Sequence, residues 1–88
     1  MVSREVRITN ATGLDLAPAG VLCDEAMRFK SKITFTTGDS YEANAKSVLS
    51  VLGACVKPGQ ALTLICEGED EEQALEYMVQ AIADGLGE

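Results

Sequence analysis

Residues 12–20 read Thr-Gly-Leu-Asp-Leu-Ala-Pro-Ala-Gly, and the fold turns on them. On their N-terminal side apolar residues recur every second position, and on their C-terminal side they recur at helical spacing. Gly13 supplies the freedom for a sharp turn. Asp15 is placed to accept backbone N–H bonds ahead of a helix, and Pro18 suits a first-turn position. A corner of this kind presents free N–H groups and the positive end of a helix dipole, which together attract anions.

Working outward, residues 2–9 alternate weakly, with Val6 and Ile8 on one face and Glu5, Arg7 and Thr9 on the other, as in a half-buried strand. From Pro18 to about Lys30, Ala19, Leu22, Cys23, Ala26 and Phe29 share the inner stripe of a helix, while Asp24, Glu25 and Arg28 face outward. Ile33 and Phe35 alternate with Thr34 and Thr36 in a second strand. Thr37-Gly38-Asp39-Ser40 reads as a tight turn into a third, Tyr41 to Ala45, which makes a hairpin. Ser47 stands immediately before Val48, Leu49, Val51 and Leu52, a short apolar helix ending near Gly53.

Lys57-Pro58-Gly59-Gln60 is a turn, and Ala61 to Cys66 is the most apolar strand of the set. Asp70 opens the last helix, where Asp70 and Gln73 have capping-box spacing and Glu71 and Glu72 suit the dipole. Its inner face is Ala74, Leu75, Met78, Ala81 and Ile82, and Gly85 or Gly87 stops it. The order β-α-β-β-α-β-α predicts an α+β fold, with helices gathered on one face of an antiparallel sheet.

Composition bounds the function. Eighty-eight residues make a single domain spanning 1–88, and 47% hydrophobic residues suffice to fold it. A formal net charge of -7 argues against nucleic acid or an anionic membrane as partner. The charge is segregated: the seven basic residues all lie at or before Lys57, whereas Glu67, Glu69, Asp70, Glu71, Glu72, Glu76, Asp84 and Glu88 follow unaccompanied. No apolar signal region or membrane-length run is present, so a cytoplasmic location is expected. Cys23, Cys55 and Cys66 are odd in number and widely spaced, and the chain has no histidine. They are expected to be reduced, largely buried thiols, with no metal or cofactor assigned. The Asp39-Ser40 pair resembles a carrier-protein serine only superficially, because it lies between period-2 strands. The acidic run 67–76 reads as a solvated helix start.

Beyond these patterns, residues 13–19, GLDLAPA, resemble the active-site loop of the HPr family, the histidine-containing phosphocarriers of the bacterial sugar phosphotransferase system, whose pattern is G-[LI]-H-A-R-P-A. Residues 44–53, NAKSVLSVLG, resemble the N-[LA]-K-S-[IVL]-[ML]-x-[VL]-[ML] run around that family's regulatory serine, and Gly85-Leu86-Gly87-Glu88 resembles its close. The resemblance implies an open-faced β-sandwich, a four-stranded antiparallel sheet covered on one face by three helices.

The same comparison identifies what is missing. Asp15 stands at the phosphohistidine position, Leu16 replaces a small residue, and Ala17 stands where an arginine neutralises phosphate. The loop Asp15, Leu16, Ala17 and Pro18 is thus an anion or partner loop without a catalytic residue. Ser47 is implied to be phosphorylated by HPr kinase/phosphorylase. Lys46, Val48, Leu49 and Leu52 are implied to meet a catabolite-control transcription factor or another cytosolic protein.

The expected protein is therefore a regulatory substrate and binding module, similar to histidine-lacking paralogues of the Crh type, and not an enzyme. Two alternatives stay open. Asp15 could accept phosphate as an acyl phosphate from the first enzyme of the system, or the surface could act without phosphorylation.

Overall fold

The structure, a computed structural model, describes residues 1–38 and 40–87. Its elements are β1 (Val2–Arg7), α1 (Leu16–Ala26), β2 (Lys32–Thr36), β3 (Glu42–Asn44), α2 (Val48–Gly53), β4 (Ala61–Glu67) and α3 (Glu71–Ala83). The expected order and the α+β class both hold. The four strands form one antiparallel sheet in the order β1-β4-β2-β3, so the last strand in sequence lies between the first and second.

The strand alternation explains which face the helices cover. Leu62, Leu64 and Cys66 of β4 are buried, and they pair with Val6, Arg4 and Val2 on one side and with Phe35 and Ile33 on the other. Ala43 continues that row beyond Phe35. α3 packs on β1 and β4, and α1 lies against both α2 and α3. Between the layers sit Ile8, Leu22, Phe35, Val51 and Met78, each fully buried. Arg4 escapes the apolar row by extending its guanidinium to the Glu76 carboxylate on α3 at 2.8 Å. The opposite face carries Thr34, Thr36, Thr63 and Ile65, and among the described residues no helix covers it, which makes it the open face of the sandwich.

Several boundaries differ from the sequence reading, each for a tertiary reason. α1 ends at Ala26, not near Lys30. Beyond it the chain tightens into i→i−3 bonds, Arg28 N–H to Glu25 at 3.2 Å and Phe29 N–H to Ala26 at 3.3 Å. The groups that a longer helix would have satisfied are taken by other elements: Lys46 Nζ donates to the Phe29 carbonyl, and Asp70 accepts from Lys30 and Ser31. β3 loses Tyr41, whose phenol instead donates to the Ser50 carbonyl at 3.0 Å. Asp39 of the expected turn and Glu88 of the closing tetrapeptide lie outside the described residues.

α3 stops as expected. Gly85 takes φ 91, its N–H bonds the Ile82 carbonyl, and the Leu86 N–H bonds that of Ala81, a Schellman pair with Leu86 buried beneath it.

Candidate functional site

Gly13 sets the corner. It sits at φ 70, and a Cβ there would fall 2.2 Å from the Val56 carbonyl oxygen, so both conformation and space demand glycine. The neighbouring Leu14 N–H donates to that same carbonyl at 3.0 Å, which fastens the corner to the loop between α2 and β4. Leu14 and Pro18 are buried, while Asp15, Leu16 and Ala17 face solvent, Leu16 at 69% exposure.

Asp15 is at the N-cap with extended backbone, and its carbonyl accepts from Ala19 at 2.9 Å. Its side chain, however, makes no capping bond, contrary to the sequence reading. Part of the cause is local. A capping carboxylate takes the N–H of the second or third helical residue, and here the third is Pro18, which has none. The property that suits Pro18 to the first turn removes one of the two donors open to Asp15, leaving the Ala17 N–H as the other.

Ser47 caps α2. Its backbone is extended, its Oγ accepts the Ser50 N–H at 3.3 Å, and its carbonyl accepts from Val51 at 3.0 Å. The chain entering this cap is held by Asn44, whose carbonyl accepts the Ser47 N–H at 3.0 Å and whose Oδ1 accepts the Lys46 N–H at 2.9 Å. Ser50 Oγ in turn accepts the Asn44 N–H at 2.8 Å. Ser47 is half-buried at the rim.

The apolar residues around it divide. Leu49 is 83% exposed, Val48 and Leu52 are half-buried, and Val51 is the residue that enters the core. Lys46 is also half-buried, with Nζ 2.7 Å from the Phe29 carbonyl oxygen. Sequence reasoning placed Lys46 beside Ser47 but missed its hold on α1's trailing turn, because the partner is a backbone carbonyl that no pattern marks. It also missed Asn44, Ser50 and Tyr41 as the residues that fix the α2 start.

Asp70 departs from its expected role as well. It occupies the N-cap of α3 without a side-chain capping bond, because its carboxylate crosses to Lys30 and Ser31. The Gln73 capping box is therefore not formed; instead Glu71 Oε1 accepts the Gly68 N–H at 3.1 Å. The thiols also correct the expectation of general burial. Cys66 is buried and Cys23 half-buried, but Cys55 is exposed at φ 52 just after α2. Among the described residues no group of three or more Cys, Asp or Glu could hold a metal ion, and no helix is long and apolar enough to cross a membrane.

The fold that carries this glycine corner and this serine-capped helix is one that known proteins share. The family described as "PTS HPr component phosphorylation site" matches residues 2–84. The chain belongs to the HPr family.

Among HPr relatives, it is 38% identical to HPr-like protein Crh of Halalkalibacterium halodurans over 82 residues, covering 93% of this chain and 96% of that one. It is 39% identical to the phosphocarrier protein HPr of Haemophilus influenzae over 82 residues, covering 93% and 95%. In structure it is similar to HPr-C-His from Thermoanaerobacter tengcongensis, with a TM-score of 0.93 at 33% identity over all of this chain and 98% of that one. It is also similar to crystalline Crh of Bacillus subtilis, which is described as a swapped dimer, with a TM-score of 0.76 at 34% identity over 97% of each chain.

Proposed function

We propose that this HPr-family protein is a regulatory member of the phosphotransferase system and carbon catabolite control, phosphorylated on Ser47 by HPr kinase/phosphorylase. The phosphorylated face, with Leu49 outermost and Val48 and Leu52 beside it, then meets a catabolite-control transcription factor or another cytosolic protein. The chain is not an enzyme in this reading, and it does not carry phosphate on histidine.

The observation that carries the reading is the corner itself. Asp15 stands where the family's acceptor stands, Ala17 faces solvent at the arginine position, and no histidine exists anywhere in the 88 residues. Histidine phosphocarriage needs a ring nitrogen that is nucleophilic near neutral pH, and nothing else in the chain supplies one. Ser47 supports the other half. Its hydroxyl already faces the N–H of Ser50, so a phosphate there would meet the positive end of α2.

A second reading has one observation in its favour: the Asp15 carboxylate makes no capping bond, so its oxygens are not engaged at the helix start. In that reading Asp15 accepts phosphate from the first enzyme of the system. Against it, the incoming phosphoryl group would approach a carboxylate with Ala17 offering no positive charge.

Peptide-level mass spectrometry after two incubations separates these. With ATP and HPr kinase/phosphorylase, stoichiometric acid-stable phosphate on Ser47 is expected. With phosphoenolpyruvate and the first enzyme, none is expected. Hydroxylamine-labile phosphate on Asp15 in the second incubation would overturn the proposal, and no phosphate in either would leave a phosphorylation-independent interaction domain.

A further inference from the structure

Lys46 makes a bond that is strong enough to matter and weak enough to lose. Its ammonium donates to a neutral carbonyl, Phe29 O, at 2.7 Å, and that carbonyl belongs to the turn left over where α1 ends early. The backbone of that turn is otherwise held by i→i−3 bonds at 3.2 and 3.3 Å, and the Arg28 guanidinium pairs with the Glu25 carboxylate at 2.9 Å. A phosphate on the adjacent Ser47 would bring nearly two negative charges and three strong acceptor oxygens. The Lys46 bond to the carbonyl is already charge-assisted on the donor side, and a phosphate would add to the hydrogen bond the direct attraction of opposite charges.

The backbone between the two cannot yield easily. Ala45 N–H is bonded to Ile33 O at 2.9 Å, and Lys46 and Ser47 N–H groups are both bonded to Asn44. The flexible four-carbon stem of Lys46 is what can respond. No arginine at position 17 competes for the phosphate.

We propose that Lys46 is a two-position switch. In the unmodified protein it holds the Phe29 carbonyl; phosphate on Ser47 draws it away and releases the turn that follows α1. The inference rests on the reading of Ser47 as the modified residue. The release is confined to Arg28 and Phe29, because the next two residues stay tied to Asp70 through the N–H groups of Lys30 and Ser31. Its effect reaches α3: the Phe29 ring lies 5.4 Å from that of Tyr77, and the Arg28 guanidinium sits 5.4 Å above the Tyr77 ring. A modification on α2 is thereby felt on the surface between α1 and α3, away from the serine that carries it.

The test uses the whole chain, isotope-labelled, with phosphoserine installed at position 47 during synthesis so that no kinase is required. The readouts are the Phe29 carbonyl and the Lys30 amide in the same peptide unit. In the unmodified protein, Lys46→Met should already move both resonances. Phosphoserine should move them in the same direction in the Lys46 protein and add nothing in K46M. Equal movement in both proteins, or no movement in the Lys46 protein, overturns the switch. Failure of the kinase to modify Ser47 would overturn the functional proposal and leave this test intact. A kinase-modified chain with unmoved Phe29 and Lys30 resonances would overturn the switch alone.

Discussion

The Asp70 carboxylate grips Ser31 from two directions, accepting its N–H at 2.9 Å and also its hydroxyl, while the other oxygen takes the Lys30 N–H at 3.0 Å. The hydroxyl of Ser31, the amide of Lys30 and then that of Ser31 hold the Asp70 carboxyl down from 3.8 to about 2. A carboxyl lowered on folding stabilises the native state fully above its unfolded value and loses that contribution as pH falls through its folded value. Stability attributable to Asp70 is therefore present above about pH 4 and declines towards pH 2. Urea midpoints at steps from pH 5 to pH 2 should fall more steeply in the wild type than in Asp70→Asn, which should be the less stable protein at pH 7. Parallel curves would sink the assignment.

Two glycines should respond oppositely to alanine. Gly13→Ala must place a methyl against the Val56 carbonyl at φ 70, and a loss of about 2–4 kcal/mol is expected. Gly20, inside α1 with nothing within 4 Å of its missing Cβ, should gain about 0.5–1 kcal/mol. Thermal melts of both variants beside the parent decide the matter, and a destabilised Gly20→Ala would mean that α1 needs its small residue for something not visible in its packing.

Leu49 and Val51 are two residues apart on α2 and should behave as different materials. Val51→Ala removes two fully buried methyls and should cost about 2–3 kcal/mol in chemical denaturation. Leu49→Ala, at a position 83% exposed, should change stability by less than about 0.5 kcal/mol. Loss of partner capture by Leu49→Ala without loss of stability would tie that side chain to recognition; unaltered capture would remove it from the interface.

The three thiols should react in a fixed order with a disulfide reagent at pH 8. Cys55 is exposed and should be modified first, half-buried Cys23 next, and Cys66 only on unfolding. Burial pushes the Cys66 thiol up to about 11, with the nearby charges of Asp70 and Glu71 adding to the shift. Early labelling of Cys66 in native protein would mean that β4 opens far more readily than its central place in the sheet implies.

Every element was legible from the chain, because Leu62, Leu64 and Cys66, or Ala74, Leu75, Met78 and Ile82, repeat at spacings that only one backbone conformation can bury together. Gly13 and Ser47 were legible for a related reason: turn chemistry and capping are decided within a few residues. Side chains that bond across the fold were not. Asp70 and Asp15 both stand where a cap belongs, and neither side chain caps: the Asp70 carboxylate is drawn to Ser31, and Pro18 leaves Asp15 one capping donor in place of two. Neither reason is visible from the carboxylate's own position. Lys46 likewise read as a partner-facing neighbour of Ser47, and its bond to Phe29 is visible only once α1 is seen to end short of Phe29 and leave a carbonyl for it. The family patterns at residues 13–19 and 44–53 located the candidate site, whereas its internal bonding came only from the assembled structure.

The place of β4 between β1 and β2 has a consequence for how the molecule comes into being. Val2 waits for Cys66, and Ile33 waits for the same residue, so during synthesis both β1 and β2 are complete long before the strand that joins them exists. Only the β2–β3 hairpin can close early. The sheet is thus assembled in one late event, by insertion of a strand between two already made. Its rate is governed by the entropy of closing long loops and not by how fast any helix forms.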